Sequence, residues 1–562
     1  MKKYFLIGSL LFLTPFSALA WTKDYGPYFM VNNLQVNDYG VNFIAENKNT
    51  DVGFNYMVNI KGKDYGPYDT NKPILKIVND KWGFSYDDSI TRKNRGYVMN
   101  GQIISNQYGV GGNDYTNNIF DLSAKSFMAT TLTKDKAVDS RNETFFIYQL
   151  MRNQKMIAKY GQDNLITQLV SRDTAYAYSL INTATQLTTV YVGSKKYGPY
   201  KDVKNLQLSA NDKKFGFAYK DTDNKFYANI NGKKFGPYLS SRNDLETDKM
   251  KNLELSDTIQ DLQITNANYG YIYENKQKVY ANINGKIYGP FDRSTSDLHA
   301  ESYPLLTITD KNWGLAYYKD DKNGGTRTFI VNGKTLSSYN PIDIKAGISE
   351  GGRSYNYELE YVSDDLVAYS KSSGGKYLLY VNGKKFGPYS STYGFATDKK
   401  NWAMLINEND KYSVVVNGKV VYRIPDNLRT LDKARRERTS IGDRVLTLSG
   451  NNWGYYEVAS FCEEEDLGPD DCMGKGNCVG CSYTNRPQEA LAILSANGKI
   501  NTKLVPIVDF RDPYADNPDL RQKFTQSVDP ATLFDLSGKY WAYQYVKNDQ
   551  VYLKVGSIDS WQ

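Results

Sequence analysis

Between residues 203 and 238, apolar side chains alternate with polar ones in three short runs. Leu206 and Leu208 form the first, Phe215, Phe217 and Tyr219 the second, and Phe226, Ala228 and Ile230 the third. A period of two puts one set of side chains on a buried face and the other in water, so each run predicts a β-strand. Turn residues fill the intervals: Asn211-Asp212, then Asp221 to Asn224, then Asn231-Gly232, a pair suited to the two positive-φ positions of a type I′ hairpin. A fourth, shorter strand is expected from Lys233 to Phe235, ending at Gly236-Pro237 because proline donates no amide and restrains the residue before it. The unit reads as four antiparallel strands.

This unit recurs from Asn32 to the carboxyl end. NGKKFGPY stands at 231–238 and 382–389, with variants at 25–28, 62–68, 195–200 and 284–291. Two copies, near 111–160 and 161–200, are weaker; the seventh replaces its Gly-Pro with Ser337-Ser338. About eleven copies are counted. The last, from about Leu533 through Trp541 and VYLKVG, lacks its closing strand, while WTKDYGPY at 21–28 is an orphan closing strand. A ring in which residues 21–28 complete the last sheet accounts for both and protects the exposed edges. The expected fold is all-β, a β-propeller of four-stranded blades. Eleven copies exceed the four to eight blades usual in one ring, so two rings are expected: residues 29–238 with about five blades and 239–562 with about six.

An aromatic residue opens the second strand of most units, often followed by glycine: Trp82, Phe215, Tyr269, Trp313, Trp402, Trp453 and Trp541. Their common place in the repeat predicts that they fill the gap between adjacent sheets, with the glycine admitting neighbouring backbone. The alternative is an exposed sugar-stacking series built on Trp82, Trp313 and Trp453.

Units with NGK, a Gly-Pro-aromatic close and a following LxL strand resemble the WD-type and TolB-like β-propeller repeats of bacterial exported proteins. The likeness spans nearly all of 21–562 and is clearest from Leu206 to Tyr238. The Ser-Pro-Asp-Gly-Lys common in those repeats is here SANDKK at 209–214 and TDKN at 309–312. The resemblance implies a binding platform and no particular ligand or catalytic residue.

The amino terminus adds a compartment. Lys2 and Lys3 precede the apolar run at 5–13, and Ala18-Leu19-Ala20 gives a small-x-small cleavage pattern, so residues 1–20 read as a secretory signal. Nine apolar residues fall short of the roughly twenty that span a bilayer. No later stretch is apolar enough to span, so the mature chain is expected in the periplasm or outside the cell, without a transmembrane segment. A formal charge of +7 over 562 residues gives no case for nucleic acid. Forty-eight tyrosines and 44 glycines suit strands and tight turns.

One segment interrupts the repeat. At 461–482, between the second and third strands of the tenth unit, lie Cys462, Cys472, Cys478 and Cys481. In an oxidising compartment they read as two disulfides, with hairpin geometry favouring Cys462 with Cys481 and Cys472 with Cys478. Zinc held by the four thiolates and redox exchange at Cys478 and Cys481 are the alternatives. The adjoining run from Glu463 to Asp471 and the Asp320-Asp321-Asn323 turn lack the spacing of a calcium loop. His299, the only histidine, lies in a polar segment outside any catalytic motif, and the basic run Lys433 to Arg438, diluted by Asp432 and Glu437, reads as a solvated connection, the alternative being a short exposed helix touching anionic lipid, glycan or another protein. No cofactor is expected. Three functions follow: a non-catalytic scaffold binding envelope protein or glycan, a polysaccharide hydrolase or lyase using funnel carboxylates, and a self-assembling envelope protein.

Overall fold

The computed structural model describes residues 22–28, 30–49, 53–68, 73–88, 94–106, 120–138, 144–161, 163–238, 258–276, 278–291, 304–319, 326–339, 359–373, 375–398, 400–409, 411–425, 441–459, 462–467, 478–483, 488–496, 499–507, 534–547 and 550–560. Residues 1–20, read above as a secretory signal, lie outside them. Eleven four-stranded antiparallel sheets form a β-propeller, and one additional two-stranded ribbon stands apart from them. The blades occupy residues 30–68, 74–106, 120–161, 164–200, 202–238, 259–291, 305–339, 360–389, 391–423, 441–507, and 534–557 joined by 22–28. They are numbered 1 to 11 in that order.

The eleventh blade takes its outer strand from the other end of the chain. Thr22–Tyr28 pairs antiparallel with Gln550–Ser557, setting Tyr25 against Leu553 and Tyr28 against Val551. Each blade packs on the next, and blade 11 returns to blade 1. First strands of neighbouring blades run side by side at most junctions, so these strands line the axis and the fourth strands form the circumference. The junction of blades 5 and 6, where the sequence reading divides the chain into two rings, is packed in the same way: Phe226, Ala228, Ile230 and Tyr238 share one core with Ile259, Leu262 and Ile264.

Three contacts recur at the junctions, from circumference to axis. Outermost, in most blades that carry Gly-Pro, the aromatic before it meets the aromatic that opens the next blade's second strand. Tyr65 meets Trp82 at 5.2 Å between ring centroids, Tyr197 meets Phe215 at 5.2 Å, Tyr288 meets Trp313 at 5.2 Å and Phe386 meets Trp402 at 5.0 Å. In the middle, the glycine after the aromatic makes room for a side chain of the next blade, where backbone was expected. A Cβ at Gly216 would lie 2.8 Å from Ile264 Cδ1, at Gly270 2.8 Å from Ile308 Cδ1, and at Gly314 2.6 Å from Val362 Cγ2. Nearest the axis, glutamines clamp adjacent first strands. Gln207 donates to Leu262 O at 2.6 Å and accepts from Ile264 N at 3.0 Å; Gln263 repeats this with Leu306 O and Ile308 N.

The fourth strand is longer than its proline suggests. In blade 5 it runs Lys233–Tyr238, and its register skips a residue so that Phe235 faces Ala228 and Tyr238 faces Phe226. Gly236, at φ +120°, carries the bulge. Because this strand is an outer edge, the amide that Pro237 lacks is not needed for a further ladder, and pairing resumes beyond it.

Candidate functional site

The two faces of the propeller differ in what connects the strands. Turns between first and second strands, and between third and fourth, all lie on one face and are at most six residues long. The other face carries every interval longer than six residues: 107–119, 239–258, 292–304, 340–359, 424–440, 460–487 and 508–533. Long connections between the strands of a rigid scaffold are where binding groups concentrate. Ile74 and Leu305, which open the first strands of blades 2 and 7 on this long-segment face, are exposed at 57% and 53%.

The short-turn face is internally bonded. Asp212 Oδ2 in blade 5 accepts from the amides of Thr174 and Ala175 in blade 4, at 2.7 and 3.0 Å. The amide of Asn211 donates to Asn266 Oδ1 of blade 6 at 2.7 Å, and the amide of Asn266 donates in turn to Asp310 Oδ1 of blade 7 at 2.6 Å. Lys311 N continues the series to Asp364 Oδ1 of blade 8 at 2.8 Å. The sequences that replace Ser-Pro-Asp-Gly-Lys thus join blade to blade. At Asp310 desolvation pushes the carboxyl up, but the bonds from Asn266 and Ala267 outweigh it and hold the group below the usual carboxylate range.

Near the axis, carboxylates also serve the backbone. Asp121 Oδ2 accepts from Ser171 N at 2.7 Å, and Asp535 Oδ2 from Val36 N at 2.7 Å. Burial pushes the hydroxyls of Tyr200 and Tyr238 up to about 12, so they remain neutral hydrogen-bonding groups at physiological pH. Among the described residues no group of three or more His, Cys, Asp or Glu is arranged to hold a metal ion.

Of the repeat aromatics, Trp82, Trp313, Trp402, Trp453 and Trp541 are buried, while Phe215 and Tyr269 are half-buried against their clusters. Trp82, Trp313 and Trp453 are 8%, 8% and 2% exposed, which leaves no indole face open to a sugar. In the insertion, Cys462–Leu467 pairs with Cys478–Tyr483, setting Cys462 opposite Tyr483 and Cys481 opposite Glu464. In the backbone register Cys462 and Cys481 stand two ladder positions apart. Cys472, Asp470, Asp471, His299, Asp320, Asp321, Asn323 and the run 433–438 lie outside the described residues. Sequence reasoning missed the interblade roles of Gln207, Gln263, Asp212 and Asp310. Their only signal was recurrence of a polar residue at one place in successive units.

Among the described residues, no helix is long and apolar enough to cross a membrane. The chain matches no protein-family model and no curated protein. Solved structures similar to it include a eukaryotic initiation factor, 11% identical over 64% of this chain and 88% of that one, with a TM-score of 0.34. The WD40 domain of SCAP from fission yeast is 11% identical over 62% of this chain and 92% of its own, with a TM-score of 0.24. TolB from Acinetobacter baumannii is 11% identical over 56% and 77%, with a TM-score of 0.19.

Proposed function

We propose that this chain is a non-catalytic exported scaffold that binds protein or carbohydrate at the bacterial cell envelope, in the periplasm or outside the cell, through its long-segment face. The observation that carries the reading is the one-sided placement of the long intervals, seven of them on a ring whose opposite face is closed by short turns. A ring of this kind brings the connections of many blades to one side without requiring a dedicated catalytic group. Disulfides pairing Cys462 with Cys481 and Cys472 with Cys478 belong to this reading as a staple on that face; four free thiols in peptide maps made without reduction would remove them.

The test offers the mature chain envelope glycan fragments and soluble envelope proteins while product release is followed. Binding without turnover is expected. It should weaken when 460–487 is replaced by an Asn-Gly turn, with the melting temperature of the remaining blades retained. Turnover abolished by changing one axial carboxylate would overturn the reading in favour of a hydrolase or lyase.

A further inference from the structure

The short-turn face carries a regular charge pattern at its circumference. In nine of the eleven blades the fourth strand starts with lysine just after the hairpin tip; blade 2 has Gln102 there, and the closing strand of blade 11 carries Lys23 as its second residue. These nine lysines and Lys23 are all exposed. Several hold one geometry: the ammonium of Lys63, Lys233 and Lys286 lies 5.0 Å from the ring centroid of the aromatic two residues on, and that of Lys384 at 5.3 Å. An aromatic beneath the stem holds the charge in place while leaving it hydrated. Counting each tip with the first two residues of its fourth strand, and residues 22–24 of the closing strand, the rim holds fourteen lysines and two aspartates, Asp24 and Asp64. The whole chain carries only +7, so the rest of the molecule is net negative.

Apolar side chains share this rim. Six of the eight exposed large apolar residues among those described lie on the short-turn face: Tyr39, Met156, Ile287, Val420, Val421 and Ile500. Met156, Ile287, Val420 and Ile500 each directly follow one of the nine strand-opening lysines and are 56%, 58%, 49% and 39% exposed. Lysine on an open edge also blocks pairing with other sheets. That role accounts for the lysines on the edge but explains neither the apolar neighbours nor the restriction of both to one end of the strand.

We propose that the short-turn face is a docking surface for a phospholipid bilayer bearing net negative charge. Lysines arranged around one side of a disc meet headgroup phosphates together, and the adjoining apolar residues enter the headgroup and acyl boundary, the combination that holds peripheral proteins on membranes. The net negative remainder orients the molecule, directing the long-segment face away from the lipid. A soluble anionic polymer would use the lysines but not the apolar residues beside them, which is why the bilayer is the assigned occupant.

The mature chain is sedimented with vesicles of phosphatidylcholine alone and of phosphatidylcholine mixed with phosphatidylglycerol, with dextran sulfate as a soluble polyanion. Binding to the mixed vesicles is expected, falling steeply with salt because the screening length is about 8 Å at physiological ionic strength. With each lysine near the surface contributing about fivefold, the variant K233E/K234E/K384E/K385E should bind about a hundredfold more weakly or worse at unchanged melting temperature. Arginine at the same four positions should restore it. Replacing Ile287, Val420 and Ile500 with serine gives a second reading that leaves every lysine in place, and should remove the part of binding that resists salt. Equal binding to both vesicle types, capture of dextran sulfate without vesicles, or either variant binding like the natural chain would overturn the proposal.

Discussion

Asp535, on the first strand of blade 11, accepts the backbone amide of Val36, on the first strand of blade 1, at 2.7 Å. This bond crosses the junction at which the circuit closes on itself. Burial pushes the Asp535 carboxyl up to about 6, while the amides of Val36 and Leu536 pull it the other way. Between the usual 3.8 and about 6 the folded protein keeps a proton that the unfolded chain has released. Stability from this group therefore falls as pH rises through that window and stays lower above it, by up to about 3 kcal/mol. Asp535→Asn keeps an oxygen for Val36 and carries no charge. Urea unfolding across pH should show the variant more stable than the natural chain by about 1–3 kcal/mol near pH 7–8, with the difference gone below about pH 4. A difference that does not vary with pH would mean that Asp535 is not the titrating group.

The outer strand of the same blade supplies a second prediction. Thr22–Tyr28 closes blade 11, and the rings of Tyr25 and Tyr28 lie 5.6 and 5.9 Å from that of Phe43 in blade 1. Deleting 22–28 leaves Gln550–Ser557 as an open edge and removes two aromatic contacts, each worth about 0.5–1.5 kcal/mol beyond its buried area. The truncated chain should melt lower and self-associate, and a synthetic peptide of residues 21–28 should raise its melting temperature in a concentration-dependent way. A truncated chain as stable and monomeric as the intact one would mean that this strand does not close the ring.

What the sequence could reveal follows from which contacts are local. Strand pairing within a blade rests on alternation and on turns such as Asn231-Gly232, both readable in a few residues. The closing strand was legible because one end of the chain carried a surplus piece and the other lacked it. The partners across blades were not legible: Gln207 sits at a position that alternation marks as wetted, yet its amide meets Leu262 and Ile264, some 55 residues on. The repeat pattern alone has Gly216 admitting backbone, whereas Ile264 occupies the space. Periodicity tells which side of a strand a residue occupies, not which neighbour waits there.

The junction of blades 5 and 6 tests the expected division of the chain at residue 238. Leu262, 2% exposed, lies in a core shared with Phe226 and Ile230. Leu262→Ala should cost about 2–5 kcal/mol. If residues 29–238 and 239–562 unfold as separate rings, calorimetry will show two transitions of which the substitution lowers mainly the second. The shared core leads us to expect one transition that shifts as a whole.

Arg327 and Glu360 supply the last prediction. They join the third strand of blade 7 to the first strand of blade 8, with Nε to Oε1 at 3.0 Å and Nη2 to Oε2 at 2.6 Å, and both side chains are 8% exposed. Two parallel bonds satisfy the geometry of guanidinium and carboxylate together, but each ion has lost most of its water. Removing one partner leaves the other charge buried, so Glu360→Leu alone should cost about 3–5 kcal/mol. Arg327→Met with Glu360→Leu removes both charges and replaces them with apolar volume, and should recover most of that loss. The double-mutant cycle in urea measures the coupling directly. If the two single variants simply add, the pair does not act as a unit and blades 7 and 8 are held by their apolar core and the bonds of Lys311 and Asn312 to 363–365; strong coupling makes the pair a device for alignment, since a shift of one blade against the other would strand two charges in the interior.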